Sequence, residues 1–499
     1  MAKAPTLEEL LADASAAKAA RLVERSRIRL GGVDPLGLRQ INFGLMDEVL
    51  PDLNNVARHI RPYILMAWAW RRVRRIIEAG ARSGATDEQM RDFVDRIEAI
   101  YAWSQFLVTQ NADLPGKLAL RPLIEKARYR FGGEAWEELR DMRRYSTGLI
   151  SPLNYGPSLR TLGWLIPVDG ATGVFQPPDA LDPALDAFES GFAEELDHEA
   201  FSRFGPVTVA REDVERWGGL WSLGAPRRKE KTAAYTRLGG DLADARRQRG
   251  VALIRAAWRD LGDEEASVAD VRARMADVAD DWESETPPAA AADWRAMQVR
   301  QAFRLALESL FFWTIATLRQ NGTMRSAALA QTFLDAIEDP LPTTAGAWML
   351  DGVNDDNPAE HVNALYEGLR RPSELPAAIV AAIRHALREP ATTRDFERRD
   401  RLPLARAKEE AEQWAGLTPH AFLVRLIEVW VIAQHTYWCV ARGLADARSG
   451  GKTILRMRIV MEEGGWTLTP ETSGANPPEA TPDRLDTAVS LLWECDRLN

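Results

Sequence analysis

The densest group of side chains able to bind an anion is a run of arginines at residues 71–75. A helical pattern places Met66, Trp70 and Val73 on one face and most of these arginines on the other. Guanidinium groups match phosphate oxygens bidentately, so this surface is expected to contact a nucleic-acid backbone. With two arginines just upstream, the candidate residues are Arg58, Arg61, Arg71, Arg72, Arg74 and Arg75. The alternative is a solvated helix end whose arginines pair with acids such as Glu78.

A second basic group follows Gly224–Pro226, where a turn is expected. Its members are Arg227, Arg228, Lys229 and Lys231. In a mobile exposed loop these cations would hold a nucleic-acid backbone without reading bases. The alternative is a solvated loop that binds nothing.

Residues 146–205 follow the order of a winged helix-turn-helix. A helical pattern over Pro152–Leu162 precedes apolar runs at 165–168 and 173–176, and the glycine-containing turn between them predicts a β-hairpin. Arg160 lies on the helix, while the hairpin carries an aspartate and no Lys or Arg. Since a DNA-reading helix needs an outward positive face, the segment is expected to contact protein. The alternative is a helix with a capping hairpin.

Two long, largely apolar helices are expected over Asp293–Gln320 and Thr418–Ala445, in the centre of a bundle. Each contains an arginine and a glutamate at helical contact spacing. These residues are Arg304 with Glu308, and Arg425 with Glu428 followed by His435. Buried charges are tolerated only when fully paired, so a structural network is expected. The catalytic alternative is a glutamate and His435 acting as acid and base.

The spacings typical of common metal and nucleotide sites are missing from the sequence. The histidines show no HExxH or HxH spacing, and Cys439 and Cys495 are too few for a disulfide scaffold or a four-cysteine zinc site. The GGKT run at 450–453 lacks the earlier glycine of a P-loop. The acidic loop at 351–357 does not have EF-hand spacing and is more simply a cap for a helix starting near Pro358. No cofactor or metal site is therefore expected, and the sequence does not identify a catalytic residue.

Composition and periodicity indicate a mainly α protein. The chain has 499 residues and a formal net charge of −10, which excludes a uniformly basic, histone-like protein. The expected fold is a multi-domain helical bundle with a winged-helix-like segment and small β-hairpins, the second at residues 454–468. Capping boxes at Thr6 and Thr86 predict two helix starts. Further helices are expected over Lys117–Arg130, Glu134–Arg143, Ala180–Glu199, Val251–Leu261, Val268–Trp282 and Asp483–Trp493.

Four segments are expected along the chain. They are an N-terminal helical domain (1–145), the winged-helix-like segment (146–205), a region with the basic loop (206–286) and a C-terminal helical domain with a hairpin (287–499). The last boundary rests on Pro287 and Pro288 followed by alanines. The N-terminus lacks a signal-peptide core, and charged residues interrupt the most apolar stretch. A cytoplasmic protein with no membrane partner is expected.

Four short blocks resemble signatures of bacterial proteins encoded beside helicase or phospholipase-D-like nuclease genes in phage-defence islands. The blocks are Leu30–Leu38 (LGGVDPLGL), Val49–Tyr63 (VLPDLNNVARHIRPY), Thr481–Leu485 (TPDRL) and Leu491–Cys495 (LLWEC). The resemblance implies a multi-protein system that defends against mobile DNA, and it brings no active site with it. The N-terminal blocks would equally serve to set the packing of a helical domain.

The function expected from the sequence is a non-catalytic scaffold, sensor or nucleic-acid-associated component of a bacterial anti-phage defence complex. Its partners would be a helicase or nuclease of the same operon, with contacts to the DNA backbone. Two alternatives stay open. One is a metal-dependent nuclease or hydrolase whose site is assembled only in the fold. The other is a winged-helix transcription regulator, which requires a basic face around Asn154–Arg160.

Overall fold

The computed structural model describes most of the chain. The described residues are 34–80, 85–109, 112–262, 266–277, 288–337, 340–352, 356–390, 401–448, 456–470, 472 and 476–498. The sequence features outside them include the helix expected to begin at Thr6, residues 30–33 of the first resemblance block, residues 278–282 of the helix expected over Val268–Trp282, and the GGKT run at 450–453. Within the described part, no helix has both the length and the apolar character needed to cross a membrane.

Helices dominate the described chain, which confirms the mainly α fold class. Up to residue 277 they are α1 (Arg39–Val49), α2 (Ile60–Ala79), α3 (Asp87–Val108), α4 (Arg121–Ile124), α5 (Glu134–Arg144), α6 (Gly156–Thr161), α7 (Asp182–Glu189), α8 (Glu199–Ser202), α9 (Arg211–Leu220), α10 (Arg228–Leu238), α11 (Ala245–Leu261) and α12 (Val268–Arg274). Short 3-10 turns cover Asp179–Leu181 and Ala193–Glu195.

The C-terminal part of the described chain is also helical. Its helices are α13 (Pro288–Asn321), α14 (Ser326–Asp335), α15 (Ala345–Met349), α16 (Pro358–Arg370), α17 (Leu375–Arg388), α18 (Leu404–Gln413), α19 (Pro419–Arg425), α20 (Gln434–Arg448) and α21 (Leu485–Glu494). A π-helical segment, Leu426–Ala433, joins α19 to α20. The long helix expected over Thr418–Ala445 is thus confirmed.

The strands that the structure describes form three antiparallel pairs. They are β1 (Arg128–Phe131) with β4 (Val207–Ala210), β2 (Ile166–Pro167) with β3 (Phe175–Gln176), and β5 (Ile459–Glu462) with β6 (Gly465–Leu468). The last two pairs are the predicted hairpins, with Ile166 opposite Gln176 and Ile459 opposite Leu468. The first pair joins strands far apart in sequence and was not predicted.

The described chain divides into two compact units, each assembled from distant segments. Unit 1 contains residues up to Leu45 together with Trp294–Thr481. Unit 2 contains Met46–Asp293 together with the chain from Pro482 onward. The division into four consecutive segments at residues 145, 205 and 286 stays a prediction.

The core of unit 2 is built around α2 and large aromatic side chains. Every residue from Ile60 to Arg71 is buried, so the N-terminal half of this helix packs on all sides. Trp68 makes edge-to-face contacts with Phe188 and Phe192, at centroid distances of 5.7 and 5.0 Å. Trp68 is therefore a packing element of this core.

Three of the resemblance blocks meet around the start of α2. Its N-cap residue, His59, makes no side-chain capping bond. The Glu494 carboxylate supplies the missing acceptor, taking hydrogen bonds from the Ile60 backbone N–H at 2.7 Å and from His59 Nδ1 at 2.6 Å. The Arg484 N–H also donates to Asn55 Oδ1 at 2.8 Å. These blocks have a packing role in unit 2, as the second interpretation of them expects.

Unit 1 is organised around α13 and the helix that runs from α19 to α20. Phe303 of α13 contacts Trp430 of the π-helical segment at 5.8 Å between ring centroids. Trp430 Nε1 donates to Glu410 Oε2 at 2.7 Å, which satisfies the one polar atom of this buried ring. The apolar periodicity of both helices predicts this central position.

Several predicted helices are wrong in extent. The helix expected over Val268–Trp282 ends at Arg274, and the helical pattern over Pro152–Leu162 contains only Gly156–Thr161. Where a helix is expected over Lys117–Arg130, the structure has only the short α4, followed by β1. Burial alternates along β1, so that Tyr129 and Phe131 face the core. The hydrogen-bonding partner of β1 is β4. The helix expected over Ala180–Glu199 breaks into α7, a 3-10 turn and α8. The capping box at Thr86 is confirmed. The Thr86 N–H donates to Gln89 Oε1 at 2.9 Å, and the Gln89 N–H donates to Thr86 Oγ1 at 3.2 Å.

Candidate functional site

The arginine run at 71–75 does not form the open cationic surface expected from the sequence. Arg71 is 1% exposed, and its guanidinium lies 2.7 Å from Asp186, 3.4 Å from Asp182 and 3.5 Å from Glu189. These carboxylates come from α7, more than a hundred residues along the chain. As placed, Arg71 has a structural role in joining α2 to α7.

The neighbouring arginines are also mostly engaged. Arg72 donates to the Phe201 and Leu196 carbonyls at 2.8 and 3.1 Å. Arg75 lies 2.6 Å from a Glu189 carboxylate oxygen. Arg74 is 41% exposed and has only long contacts, 3.7 Å to Asp179 and 3.9 Å to Glu78. Of this group, Arg74 is the most available for an external phosphate.

Arg61 and Arg58 differ in their surroundings. Arg61 is 3% exposed and lies 2.7 Å from Glu230, which is fully buried. It also donates to the Ala225 carbonyl. This pair belongs to the core, which corrects the expected surface position of Arg61. Arg58 is half-buried and has no carboxylate partner among the described residues.

The predicted basic loop is the first turn of α10 and its N-cap. Arg227 donates to the Ala187 carbonyl and to Ser190 Oγ, both at 2.7 Å. Lys231 pairs with Asp496 at 2.8 Å. Arg228 and Lys229 are exposed. Nucleic-acid binding by this group stays a prediction, and the two exposed cations are the ones available for it.

In residues 146–205, which the sequence predicts to be winged-helix-like, the polar residues singled out point in different directions. Asn154 is buried and donates to the Ser146 and Gly148 carbonyls at 3.0 and 2.9 Å, and the Tyr155 hydroxyl accepts from the His59 N–H at 3.1 Å. Both side chains therefore shape the fold. Arg160 is exposed and lies at the edge of a cavity.

That cavity, of about 210 Å³, gathers arginines from three helices of unit 2. Its lining includes Arg91, Arg140, Arg144 and Arg160, and one carboxylate, Asp95. Its aromatic lining residues are Trp70, Tyr145 and Phe175. We call this group the arginine cavity. A concave site with apolar walls and several guanidinium groups suits an anion that also carries an aromatic ring.

Two of the four arginines are fixed by acidic residues of α3. Arg140 lies 2.7 Å from both Glu88 and Asp95. Arg91 lies 2.6 Å from Glu88 and also donates to the Thr172 carbonyl. Burial raises the pKa of Asp95 to about 6, so this carboxylate is charged at neutral pH and pairs with Arg140. These contacts hold one wall of the cavity in place.

The other two arginines have no carboxylate partner among the described residues. Arg160 makes only a bond from Nε to the Gly156 carbonyl, at 3.3 Å. Arg144 packs over the Tyr145 ring at 5.6 Å, and Tyr145 is itself 68% exposed. Leu153 and Ile166, each next in the chain to a lining residue, are also exposed. This rim offers unpaired positive charge beside an exposed aromatic ring.

A larger cavity, of about 560 Å³, lies against the C-terminal half of α2. Its cationic lining residues are Arg72, Arg75 and Arg203. All three have internal partners, since Arg203 lies 2.9 Å from Glu199. The arginine cavity is therefore the stronger candidate for binding an anion.

The buried charges of unit 1 form a network, but not with all the residues expected from the sequence. Arg304 and Glu308 pair at 2.7 Å and are essentially unexposed. Arg39 joins them, 3.8 Å from Glu308. Arg425 is exposed and Glu428 half-buried, so the second predicted pair takes no part. Burial raises the pKa of Glu308.

His435 is held by backbone groups at both ring nitrogens. Nδ1 donates to the Pro35 carbonyl at 2.8 Å, and Nε2 accepts from the Arg458 N–H at 3.1 Å. This arrangement fixes the neutral Nδ1–H tautomer. Burial lowers the pKa of His435 to about 4. The imidazole therefore serves the packing of unit 1, which argues against the acid–base interpretation of it.

Two histidines and an aspartate come together at one end of the α16–α17 hairpin. The ligand-type atoms of Asp356, His361 and His385 all lie within 4.8 Å of one another. The two rings have a centroid separation of 4.5 Å. His361 Nε2 lies 3.6 Å from Asp356 Oδ2 and makes no hydrogen bond to the described residues. Residues 353–355 of the acidic loop lie outside the described chain, while Asn357 caps α16 as expected.

The sequence signal for the arginine cavity is weak because each of its elements looks ordinary in isolation. Arg140 and Arg144 lie four residues apart on one face of α5, which is the only local sign. Compared with family models, curated proteins and solved structures, the chain has no match.

Proposed function

We propose that this protein is a non-catalytic, nucleic-acid-associated component of a bacterial anti-phage defence complex. In this proposal the arginine cavity of unit 2 binds single-stranded nucleic acid. The observation that carries the proposal is the pair Arg144 and Arg160, which line one cavity without carboxylate partners among the described residues. The exposed ring of Tyr145 lies beside them.

The chemistry of the cavity supports a phosphate as the anionic part of the ligand. A guanidinium already paired with a carboxylate must break that pair to bind an external anion, whereas Arg144 and Arg160 need not. Arg91 and Arg140 are already paired with carboxylates of α3, so the uncompensated positive charge of the cavity comes from Arg144 and Arg160. Arginine is also suited to planar, bidentate recognition of phosphate oxygens.

The shape of the site favours a single strand over a duplex. A base can stack on an exposed aromatic ring only when it is unpaired and accessible, and stacking contributes about 1–3 kcal/mol per base. Tyr145 supplies such a ring. Major-groove readout by α6 is less well supported, because six residues span only about 9 Å and Arg160 is the one basic residue in that helix.

Fluorescence anisotropy with a labelled single-stranded oligonucleotide tests this binding. In low salt, R144E/R160E is expected to weaken binding at least tenfold, because both unpaired cations are replaced by repelling carboxylates. R128E/R130E is the matched control, since it makes the same charge change at two exposed residues of β1 that do not line the cavity. Unchanged binding by R144E/R160E, or a larger loss in the control, would overturn the cavity as the site.

The defence setting of the proposal rests on the resemblance of the terminal blocks. It expects a helicase or nuclease of the same operon to accompany the protein. Co-purification after expression from the native operon should recover such a partner in stoichiometric amount. Recovery of the chain alone, at salt low enough to retain electrostatic complexes, would contradict this part of the proposal.

A further inference from the structure

The α16–α17 hairpin brings together side chains that the sequence keeps apart. His361 lies in the first turns of α16, and His385 lies in the last turn of α17. The two positions are equally far from Ser373 in the connecting turn. In an antiparallel pair of helices, such positions meet at the end away from the turn. Asp356, two residues before α16, reaches the same end.

We propose that Asp356, His361 and His385 bind a divalent transition-metal ion, with Zn²⁺ as the best fit. This site lies in unit 1 and is independent of the proposed nucleic-acid binding. Imidazole nitrogens with one carboxylate oxygen form a ligand set typical of zinc, whereas magnesium and calcium prefer oxygen ligands throughout.

The geometry needs little adjustment to hold such an ion. In a tetrahedral site with bonds of about 2.0–2.1 Å, ligand atoms lie about 3.3 Å apart. His361 Nε2 and Asp356 Oδ2 are already 3.6 Å apart, and the full set lies within 4.8 Å. The Asp356 side chain is 65% exposed, so its rotation can bring the carboxylate closer without disturbing the core.

Neighbouring charges support the ligand set from outside. Glu389 Oε2 lies 4.0 Å from His385 Nε2. Arg295 holds this carboxylate through two bonds, at 2.5 and 3.0 Å. A carboxylate that accepts a hydrogen bond from a metal-binding imidazole orients the ring and increases its basicity. Glu389 is the carboxylate placed near His385 for this role, and Arg295 offsets its charge.

Three protein ligands leave one tetrahedral position for water or for a ligand from solution. Structural zinc sites are closed by four protein ligands, whereas catalytic ones keep such a position open. The cluster therefore has the composition that a metal-dependent hydrolase would require, and this observation is the one that favours the enzyme alternative. The proposal itself extends only to the metal.

Zinc binding to the full-length, tag-free, chelator-treated protein tests the proposal. Competition with a chromophoric chelator is expected to give one Zn²⁺ per chain. D356N and H361Q should each weaken binding at least tenfold, while H420Q, a histidine of the same unit outside the cluster, should not. Co²⁺ bound in place of Zn²⁺ should give the visible spectrum of a four-coordinate ion.

The two variants keep the test decisive if one of them folds poorly. Asp356 is exposed, so D356N is expected to retain the circular dichroism spectrum of the natural protein. A loss of zinc affinity in folded D356N supports the site. Absence of stoichiometric Zn²⁺ binding by the natural protein, or equal affinity in the natural protein and both variants, would overturn it. Nucleic-acid binding is tested separately, with variants of Arg144 and Arg160. The zinc site and the nucleic-acid site can therefore be refuted independently of each other.

Discussion

Glu308→Ala is expected to lower the free energy of unfolding by about 3–5 kcal/mol. The substitution removes the carboxylate 2.7 Å from Arg304, whose side chain is fully buried. Arg304 would keep its bond to the Glu479 carbonyl at 2.7 Å but lose the carboxylate that pairs with it. Burying a cation without a counter-charge costs far more free energy than burying an ion pair. Chemical denaturation followed by tryptophan fluorescence measures the change.

The matched control replaces both partners. R304M/E308L removes both charges of the buried pair and fills their space with apolar side chains, an exchange that is often neutral or stabilising. Arg39, 3.8 Å from Glu308, loses that carboxylate in both variants, so the comparison isolates the effect on Arg304. R304M/E308L is expected to be more stable than E308A. If the single and double variants lose the same stability, the cost comes from altered packing and not from an unpaired charge, and the structural role of the network is contradicted.

The second large effect is a loss of stability in acid that depends on His435. Its pKa is about 4 in the folded protein and near 6.5 when exposed. Between these values the unfolded state binds the proton and the folded state does not. Stability is therefore fully present above pH 6.5 and falls as the pH is lowered. The slope from this group approaches about 1.4 kcal/mol per pH unit.

Denaturation at a series of pH values from 7 to 4.5 measures this effect. H435Q removes the titrating group, so its stability is expected to fall less steeply than that of the natural protein. C439A is the control, because the Cys439 thiol lies 3.7 Å from the imidazole nitrogens and stays neutral in this range, its pKa being raised to about 11 by burial. C439A should lower the free energy of unfolding but keep the same dependence of that free energy on pH as the natural protein. Parallel curves for H435Q and the natural protein would contradict the buried, neutral histidine.

Local sequence rules predict the parts of the fold that depend on neighbouring residues. The capping box at Thr86, the hairpin at residues 165–176 and the apolar helix from Thr418 are all set by contacts within a few residues. The helix expected over Lys117–Arg130 is wrong because β1 pairs with β4, nearly eighty residues later. Pairing with a distant strand can outweigh the local helix propensity of a segment. A pattern of neighbouring residues does not reveal such a pairing.

The electrostatics of the site depend even more on distant partners. Arg71 and Arg61 look like surface cations in the sequence, yet Asp186 and Glu230 pair with them in the core. Arg144, in contrast, lies in an ordinary amphipathic helix and gives no signal of its own. Whether an arginine is available to a ligand is decided by where the carboxylates lie, and that information exists only in the folded chain.

The salt dependence of oligonucleotide binding tests the central claim most directly. For single strands the logarithm of the affinity falls with the logarithm of salt concentration by about 0.7 per phosphate contact. R144Q/R160Q removes two cations without adding repulsion, so its slope should be shallower than that of the natural protein by about 1.4. R128Q/R130Q, at two exposed residues of β1 outside the cavity, should have the same slope as the natural protein. If R144Q/R160Q has the same slope as the natural protein, phosphate binding in the arginine cavity is contradicted.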